Sequence, residues 1–462
     1  MTELFRLGLR EAHAGLRRGD FSSEAYVAAL LAHIAPREPG LRAWVWLDAE
    51  AALDKARVAD ATGWPTGKRG QLHGIPFGIK DIIDTAGIPT ECGTPALKGR
   101  VPDRSAAVVR QLEAAGGFVM GKTVTAEMAF YDPGPTRNPW HPAHTPGGSS
   151  SGSAAAVAAG FVPAALGSQT NGSIIRPAAF CGVVGFKPSS GRISRAGVQL
   201  FSKTLDHIGV FTRSVADAAL LVGCLGGFDW GDAADLDSAL SFRQPDPDSQ
   251  ALDRPPRLAL VRTPAWHLAD AVQQENLFEI AQRLRAAGAQ VDERELPPEF
   301  DRAQQVHHTL MFGEGARALR ALQAAHRVQL GARLNGLIDE GGAIADDALE
   351  QALAARLELG RALHPILREY DALITPPATG EAPATLAHTG DPAFCTIWTL
   401  TGVPTISIPS GFGPNGLPLG VQIVGGYLKD KRLMAVAQWC EREMGLGPLL
   451  SEMVIKTEGE HA

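Results

Sequence analysis

Basic residues are not in surplus in this chain of 462 residues: 43 Lys and Arg stand against 50 Asp and Glu, a formal net charge of -7. That balance gives no electrostatic reason to expect a nucleic-acid partner, which requires a clustered positive face. Cysteine is scarce too. The five present, Cys92, Cys181, Cys224, Cys395 and Cys440, form no C-x-x-C pair and no zinc-type spacing with histidine. Such a set argues against a resident metal and a disulfide framework, and it fits a reducing compartment. Long apolar runs are missing as well: the most apolar stretches are broken by Gly and Pro, so no membrane association is expected. The opening MTELFRLGLREAHAGLRRG is interrupted by charge, unlike a signal peptide. The cytoplasm is the default expectation.

What the chain does hold is glycine, 51 residues, and proline, 32. They punctuate segments that alternate between strand and helix patterns. The first 60 residues read as helices, with Ser22 or Ser23 as a cap, a second start near Asp48 and a short extended piece at 41–48 between them. From His73, GIPFGIKDIIDTAGIPT reads as a buried strand opening into a loop, followed by a serine-capped helix over 105–116 and a strand over 118–123. That succession predicts an α/β fold with a large mixed sheet covered by helices. Further on, helices are predicted over 214–227, 271–287, 312–330 and 345–369, strands from 256 and over 371–378, and a helix from 430. Residues 230–255, rich in Asp, Pro and Ser, read as a surface excursion, and 402–426 as a hairpin turning at Gly413-Pro-Asn-Gly416. No short-period repeat is present.

Three loops concentrate the chemistry. In TPGGSSSGSAAAVAAG, two glycines precede Ser149 and permit backbone angles closed to other residues, while the alanines that follow favour a helix start with outward N–H groups. A second loop of the same character, Ser168-Gln-Thr-Asn-Gly-Ser173, offers consecutive N–H groups from Thr170, Asn171, Gly172 and Ser173 that can converge on one oxyanion. Lys80 stands in a third loop among isoleucines, where lost hydration lowers an ammonium's pKa and leaves neutral amine near pH 7. Phosphate loops are excluded, since no G-x-x-x-x-G-K-[ST] or dinucleotide G-x-G-x-x-G is present. A G-x-S-x-G elbow with an ordered Asp and His is absent too.

Taken together, GIPFGIKDIIDTAGIPTECG, GGSSSGSAAAVAAG, QTNGSIIRPAAFCGVVGFKPS, SKTLDHIGVFTRSVADAA and GVPTISIPSGF, in this order, closely resemble the amidase signature family over most of residues 20–445. The resemblance implies that family's α/β fold, a large twisted mixed sheet with helices on both faces, as a single domain over 1–462. It also implies a helical N-terminal region of about 1–60 and a variable, substrate-shaping region of about 230–370. By position it places the nucleophile on Ser173, a bridging serine on Ser149 after a cis peptide from Gly148, and the base on Lys80. It places the oxyanion hole on the N–H groups of Thr170, Asn171, Gly172 and Ser173. Ser150, Gln169, Arg176 and Asp206, with Arg192, fall around them as supports. Three departures stand out. Ser151 replaces the first of two glycines, Gln169-Thr-Asn-Gly replaces Asp-Thr-Gly-Gly, and the arginine usual two residues after the nucleophile is Ile175, with Arg176 next.

Met128, Phe130, Tyr131 and Trp140 lie between the catalytic loops in sequence and are candidate pocket residues, with core packing as the competing role. His141, His144 and His207 are not needed as bases, and Cys181 reads as a small buried filler. The first functional reading is a free-standing, cofactor-independent hydrolase of amide or carbamate-like bonds, leaning to aryl amides, carbamates and biuret-like ureides. The alternatives are the glutaminase subunit of a tRNA-dependent amidotransferase and a non-catalytic binding protein on the same fold. A two-fold dimer is the base-rate expectation for assembly.

Overall fold

The short apolar runs between the glycines and prolines become strands, and those described pair into one eleven-stranded sheet. The structure is a computed structural model describing residues 3–65, 67–226, 252, 254–447 and 449, so all but the last few positions of the excursion read at 230–255 lie outside the described residues. In chain order the strands are β1 (Trp44–Leu47), β2 (Pro76–Lys80), β3 (Phe118–Thr123), β4 (Ala164–Gln169), β5 (Val184–Lys187), β6 (His207–Thr212), β7 (Arg257–Arg262), β8 (Gln290–Glu295), β9 (Ala372–Thr375), β10 (Thr405–Phe412) and β11 (Pro418–Val424). Their spatial order is β1-β3-β2-β4-β6-β5-β10-β11-β9-β7-β8. Parallel pairing holds for β2 with β3 and β4, and for β7 with β8 and β9. The other pairs are antiparallel, which makes the sheet mixed as expected, and helices cover both faces. Strands β2, β3, β4 and β6 are buried at every position, and so most of their residues are apolar or small and do not alternate with polar ones.

Local details differ from the sequence reading where tertiary partners intervene. Ser22 is the helix cap, accepting from Ala25 N at 3.1 Å, while Ser23 Oγ donates to Gly74 O. The helix read at 105–116 runs Ala107–Ala114, because the Ser105 hydroxyl is engaged with Ala86 N at 3.0 Å instead of capping. The helix read at 312–330 is one long element, Ala303–His326. The hairpin turns where expected, with Gly413 N bonded to Leu417 O at 2.9 Å.

Four helices position the site: α1 (Ser151–Ala158), α2 (Ile175–Cys181), α3 (Ala303–His326) and α4 (Ala393–Leu400). All eight residues of α1 are buried, which explains why it has no polar face beyond small hydroxyls. It fits only because Gly152 has no side chain: a Cβ there would meet Ala43 O at 2.3 Å and Val124 N at 2.4 Å, both backbone. Gly152→Ala is therefore expected to lower stability by about 2 kcal/mol or more through overpacking, read as a fall in the urea midpoint without a change in slope. An unchanged midpoint would mean that α1 is free to move. Because β2 and β4 are parallel neighbours, with Ile79 opposite Leu166, their C-terminal ends deliver Lys80 and Ser168 side by side, at the edge where α/β sheets build their sites.

Candidate active site

Lys80 is the last residue of β2 and has no exposed surface. Its Nζ lies 2.7 Å from Ser149 Oγ and 2.8 Å from Ser168 Oγ. Burial pulls its pKa down to about 7, against a smaller upward pull from Asp206 and Cys92. Two other lysines are comparably buried, with pKa values lowered to about 8 for Lys122 and about 7 for Lys187. They differ in their partners. Lys122 holds Ile83 O and Thr90 Oγ1 with Asp81 at 3.8 Å, and Lys187 holds the carbonyls of Pro188 and Val403. Of the three, only Lys80 is bonded solely to hydroxyls, groups that can exchange protons with an amine. The peptide Gly148-Ser149 is cis.

The loop after β4 is fastened at Gln169, Thr170 and Asn171. Gln169 Oε1 accepts from Ile174 N at 2.8 Å and Ile175 N at 3.0 Å, and its Nε2 donates to Thr399 Oγ1. An uncharged amide thus fills the place where the resemblance puts a carboxylate. Thr170 Oγ1 donates to Asp206 Oδ1 at 2.6 Å, and Asp206 Oδ2 accepts from Phe201 N and Ser202 N. Burial raises the Asp206 carboxyl. Two residues of α4 hold Asn171: Thr399 Oγ1 donates to its carbonyl at 2.6 Å and Thr396 Oγ1 to its side-chain oxygen at 2.9 Å. The N–H groups of Asn171, Gly172 and Ser173 bond to no acceptor among the described residues. Ser150, at the N-terminus of α1, ties the two serine loops together, donating to Ser168 O and accepting from Ser168 N. Arg176 does the same from α2, with Nη2 donating to Gly148 O at 2.8 Å and Thr389 Oγ1 at 2.9 Å.

Ser149, Thr170, Asn171, Gly172, Ser173 and Arg176 share the wall of one cavity with Phe130, Tyr131, Phe201 and Met311. The rings form a stack: Phe130 lies parallel to Phe201 at 5.3 Å and tilted against Tyr131 at 4.3 Å. The cavity is narrow, about 20 Å³, room for about one water. A larger groove of about 610 Å³, bordered by Arg356, Arg361 and Arg368, lies away from these serines.

Among the pocket candidates, Phe130 and Tyr131 line the cavity, whereas Met128 packs into the main core and Ala129 stands in the wall. Trp140 is also elsewhere, donating from its indole to Cys181 O. Cys181 is buried, with its thiol raised by desolvation. His141 is exposed, His144 bonds Ala382 O, and His207 is buried against Leu205 O. Arg192 falls outside the cavity wall. Sequence reasoning missed Ser168, the second hydroxyl on Lys80, although it opens the same loop motif. It also missed His307 on α3, whose Nε2 bonds Thr170 O at 2.9 Å; desolvation lowers its pKa to about 4, so the ring is a neutral donor at pH 7. Thr396, Thr399, Phe201 and Met311 carry no local signal that would have marked them.

Comparison with known proteins points to one family. The amidase family profile matches residues 25–434. The A subunit of the glutamyl-tRNA(Gln) amidotransferase of Anaeromyxobacter dehalogenans is 36% identical, over 96% of this chain and 97% of that protein. Among solved structures, the peptide amidase of Stenotrophomonas maltophilia is 31% identical with a TM-score of 0.83, covering 97% of this chain and 99% of its own. A chain from a vestigial protein complex bearing on the origins of an s-triazine catabolic enzyme is 25% identical with a TM-score of 0.87, covering 96% of this chain and all of its own. No helix among the described residues is long and apolar enough to cross a membrane. The chain belongs to the amidase signature family and is an enzyme of it, with a serine and lysine catalytic arrangement.

Proposed function

We propose that the chain releases ammonia from a primary carboxamide, as the glutaminase-type subunit of an amidotransferase, through an acyl-enzyme on Ser173. The observation that carries the chemistry is the 2.7 Å approach of a buried Lys80 amine, with a pKa near 7, to Ser149 Oγ. Neutral Lys80 donates one N–H to Ser168 Oγ and uses its lone pair to accept the Ser149 proton. Ser149 in turn takes the proton of Ser173 as Ser173 Oγ bonds to the carbonyl carbon. The carbonyl electrons move onto oxygen, which meets the N–H groups of residues 170–173, and loss of one such donor would cost about 3 kcal/mol of transition-state stabilisation. The protons return along the same route to the departing nitrogen, which leaves as ammonia. Water then attacks the ester, gives its proton to the relay and frees the acid.

The substrate half of the reading rests on the A subunits of amidotransferases, which match along nearly the whole chain. It places the enzyme in the cytoplasm, as one domain over 1–462 with 230–370 shaping the pocket, beside a partner that consumes the ammonia. A second reading, a free-standing hydrolase of amides or carbamates, is favoured by the aromatic wall of Phe130, Tyr131 and Phe201 and by the likeness to a peptide amidase. Ammonia release from glutamine, short aliphatic amides, carbamates and biuret, alongside anilide cleavage, separates the two. Glutamine turnover that rises on addition of the other amidotransferase chains is the expected result. Turnover of anilides or carbamates with none of glutamine would reverse the order.

A further inference from the structure

Among the described residues the one cis peptide is Gly148-Ser149, so the three peptide units that join Thr170 to Ser173 are trans. In a trans unit the C=O and the N–H of the next residue point opposite ways in one plane. A donor that holds the carbonyl from behind therefore aims the N–H forward. Each of these three carbonyls is held by a different element. Thr170 O accepts from His307 Nε2 of α3 at 2.9 Å, Asn171 O from Thr399 Oγ1 of α4 at 2.6 Å, and Gly172 O from Arg176 N of α2 at 2.9 Å. A carbonyl oxygen only accepts, which fixes the His307 tautomer with its proton on Nε2. The N–H groups at the other ends of these units, those of Asn171, Gly172 and Ser173, have no acceptor among the described residues, and all three residues line the cavity with Ser149. The third anchor is helical backbone, which any residue at 176 other than proline would supply. The first two depend on side chains. His307 is 2% exposed and Thr399 has no exposed surface, and Thr399 is itself set by Gln169 Nε2 at 2.9 Å.

We infer that His307 and Thr399 are positioning residues of the oxyanion hole, holding the Thr170 and Asn171 carbonyls so that the N–H groups of Asn171 and Gly172 point at the oxygen of the carbonyl under attack. Donors aimed beforehand need no reorientation as charge develops on that oxygen, and a hydrogen bond at the far end of the peptide polarises its N–H further. Without His307 the 170–171 unit is free to rotate, and the Asn171 N–H turns from the cavity. This rests on the acyl-transfer reading above, and it holds for whichever amide is the substrate. It also gives α3, which lies in the region 230–370, a task in the reaction itself.

His307→Leu is expected to lower kcat roughly 10- to 100-fold on the amide that the panel above shows to be turned over fastest, with KM within about twofold, because a misaimed donor costs less than a donor removed. The aldehyde with hydrogen in place of the departing nitrogen gives a second readout. Ser173 Oγ bonds to its carbon, the Ser173 proton passes to Ser149 and the carbonyl electron pair settles on oxygen, so the adduct carries the oxyanion and loses no group. Its Ki should rise by the factor by which kcat/KM falls. His307→Gln, which offers an amide N–H to the same carbonyl, should recover most of both. A His307 that only supports the fold would lower the number of sites counted by adduct mass and leave kcat per site and Ki unchanged; that result, or a loss confined to KM, overturns the inference. Should His307→Leu fail to fold, Thr399→Val carries the test, with the same paired fall in kcat and rise in Ki expected. Failure of both to fold would make the two contacts supports of the fold and overturn it equally. Absence of an aldehyde adduct on Ser173 in the wild type would instead remove the acyl-transfer reading on which the inference stands.

Discussion

Ser173→Ala is expected to lower kcat by at least about 10⁴-fold on every amide the enzyme accepts, because it removes the hydroxyl that forms the acyl bond and leaves Ser149 only as the proton carrier. Its KM should change little, since the variant retains the backbone N–H at this position and the loop is held by Gln169, Thr396 and Thr399, none of which bonds the Ser173 hydroxyl. Intact-mass measurement during turnover adds a second readout: wild type gains the mass of the acyl group on a single site, and the variant gains none. Ser149→Ala should also be severely impaired, for it cuts the proton route between Lys80 and Ser173 while leaving both ends in place. Non-additivity would then reveal a relay, the double variant being no slower than the worse single one. An acyl adduct that persists in Ser173→Ala would move the nucleophile elsewhere.

Much of this was legible because the chemistry is carried by short motifs. The apolar run ending at Lys80, the glycines before Ser149 and the 168–173 loop each announce a local backbone form, and parallel pairing of β2 with β4 then brings two of them together. Lys80 was readable in a stronger sense. Its isoleucine neighbours signal desolvation, and desolvation is the largest cause of its lowered pKa. The parts that were not legible come from far along the chain. His307 reaches Thr170 from α3, and Thr396 and Thr399 reach Asn171 from α4. Each looks like an ordinary helix residue until the sheet order sets those helices over the loop. Met128 shows where local position leaves a choice open. Its position between the Lys80 and Ser149 loops left pocket and core packing both open, and the structure packs Met128 in the core with Ala129 in the wall.

The strongest test of the proton route is Lys80→Met, which should cost about 10³-fold or more in kcat/KM. Stability should move the other way. The folded-state pKa of Lys80, about 7, lies below the ordinary lysine value of 10.5. Between those two values the unfolded chain holds a proton that the folded protein has released, so stability rises with pH across this window. Below about 7 both states are charged, and the buried ammonium's cost is carried in full. Methionine removes that cost while filling the space of the aliphatic stem. The variant should therefore be more stable than wild type at pH 6, with the advantage shrinking as pH approaches 10, as read from urea midpoints. Activity follows the same titration. In wild type the neutral amine fraction falls tenfold per unit below pH 7, so kcat/KM should drop with unit slope on the acid side, with an apparent pKa near 7. An acid limb near 4 would assign the base to another group, and if Lys80→Met were less stable than wild type at pH 6 by as much as at pH 10, the amine would have to be charged at rest. A charged ammonium has no lone pair with which to take the Ser149 proton, and the relay would need another base.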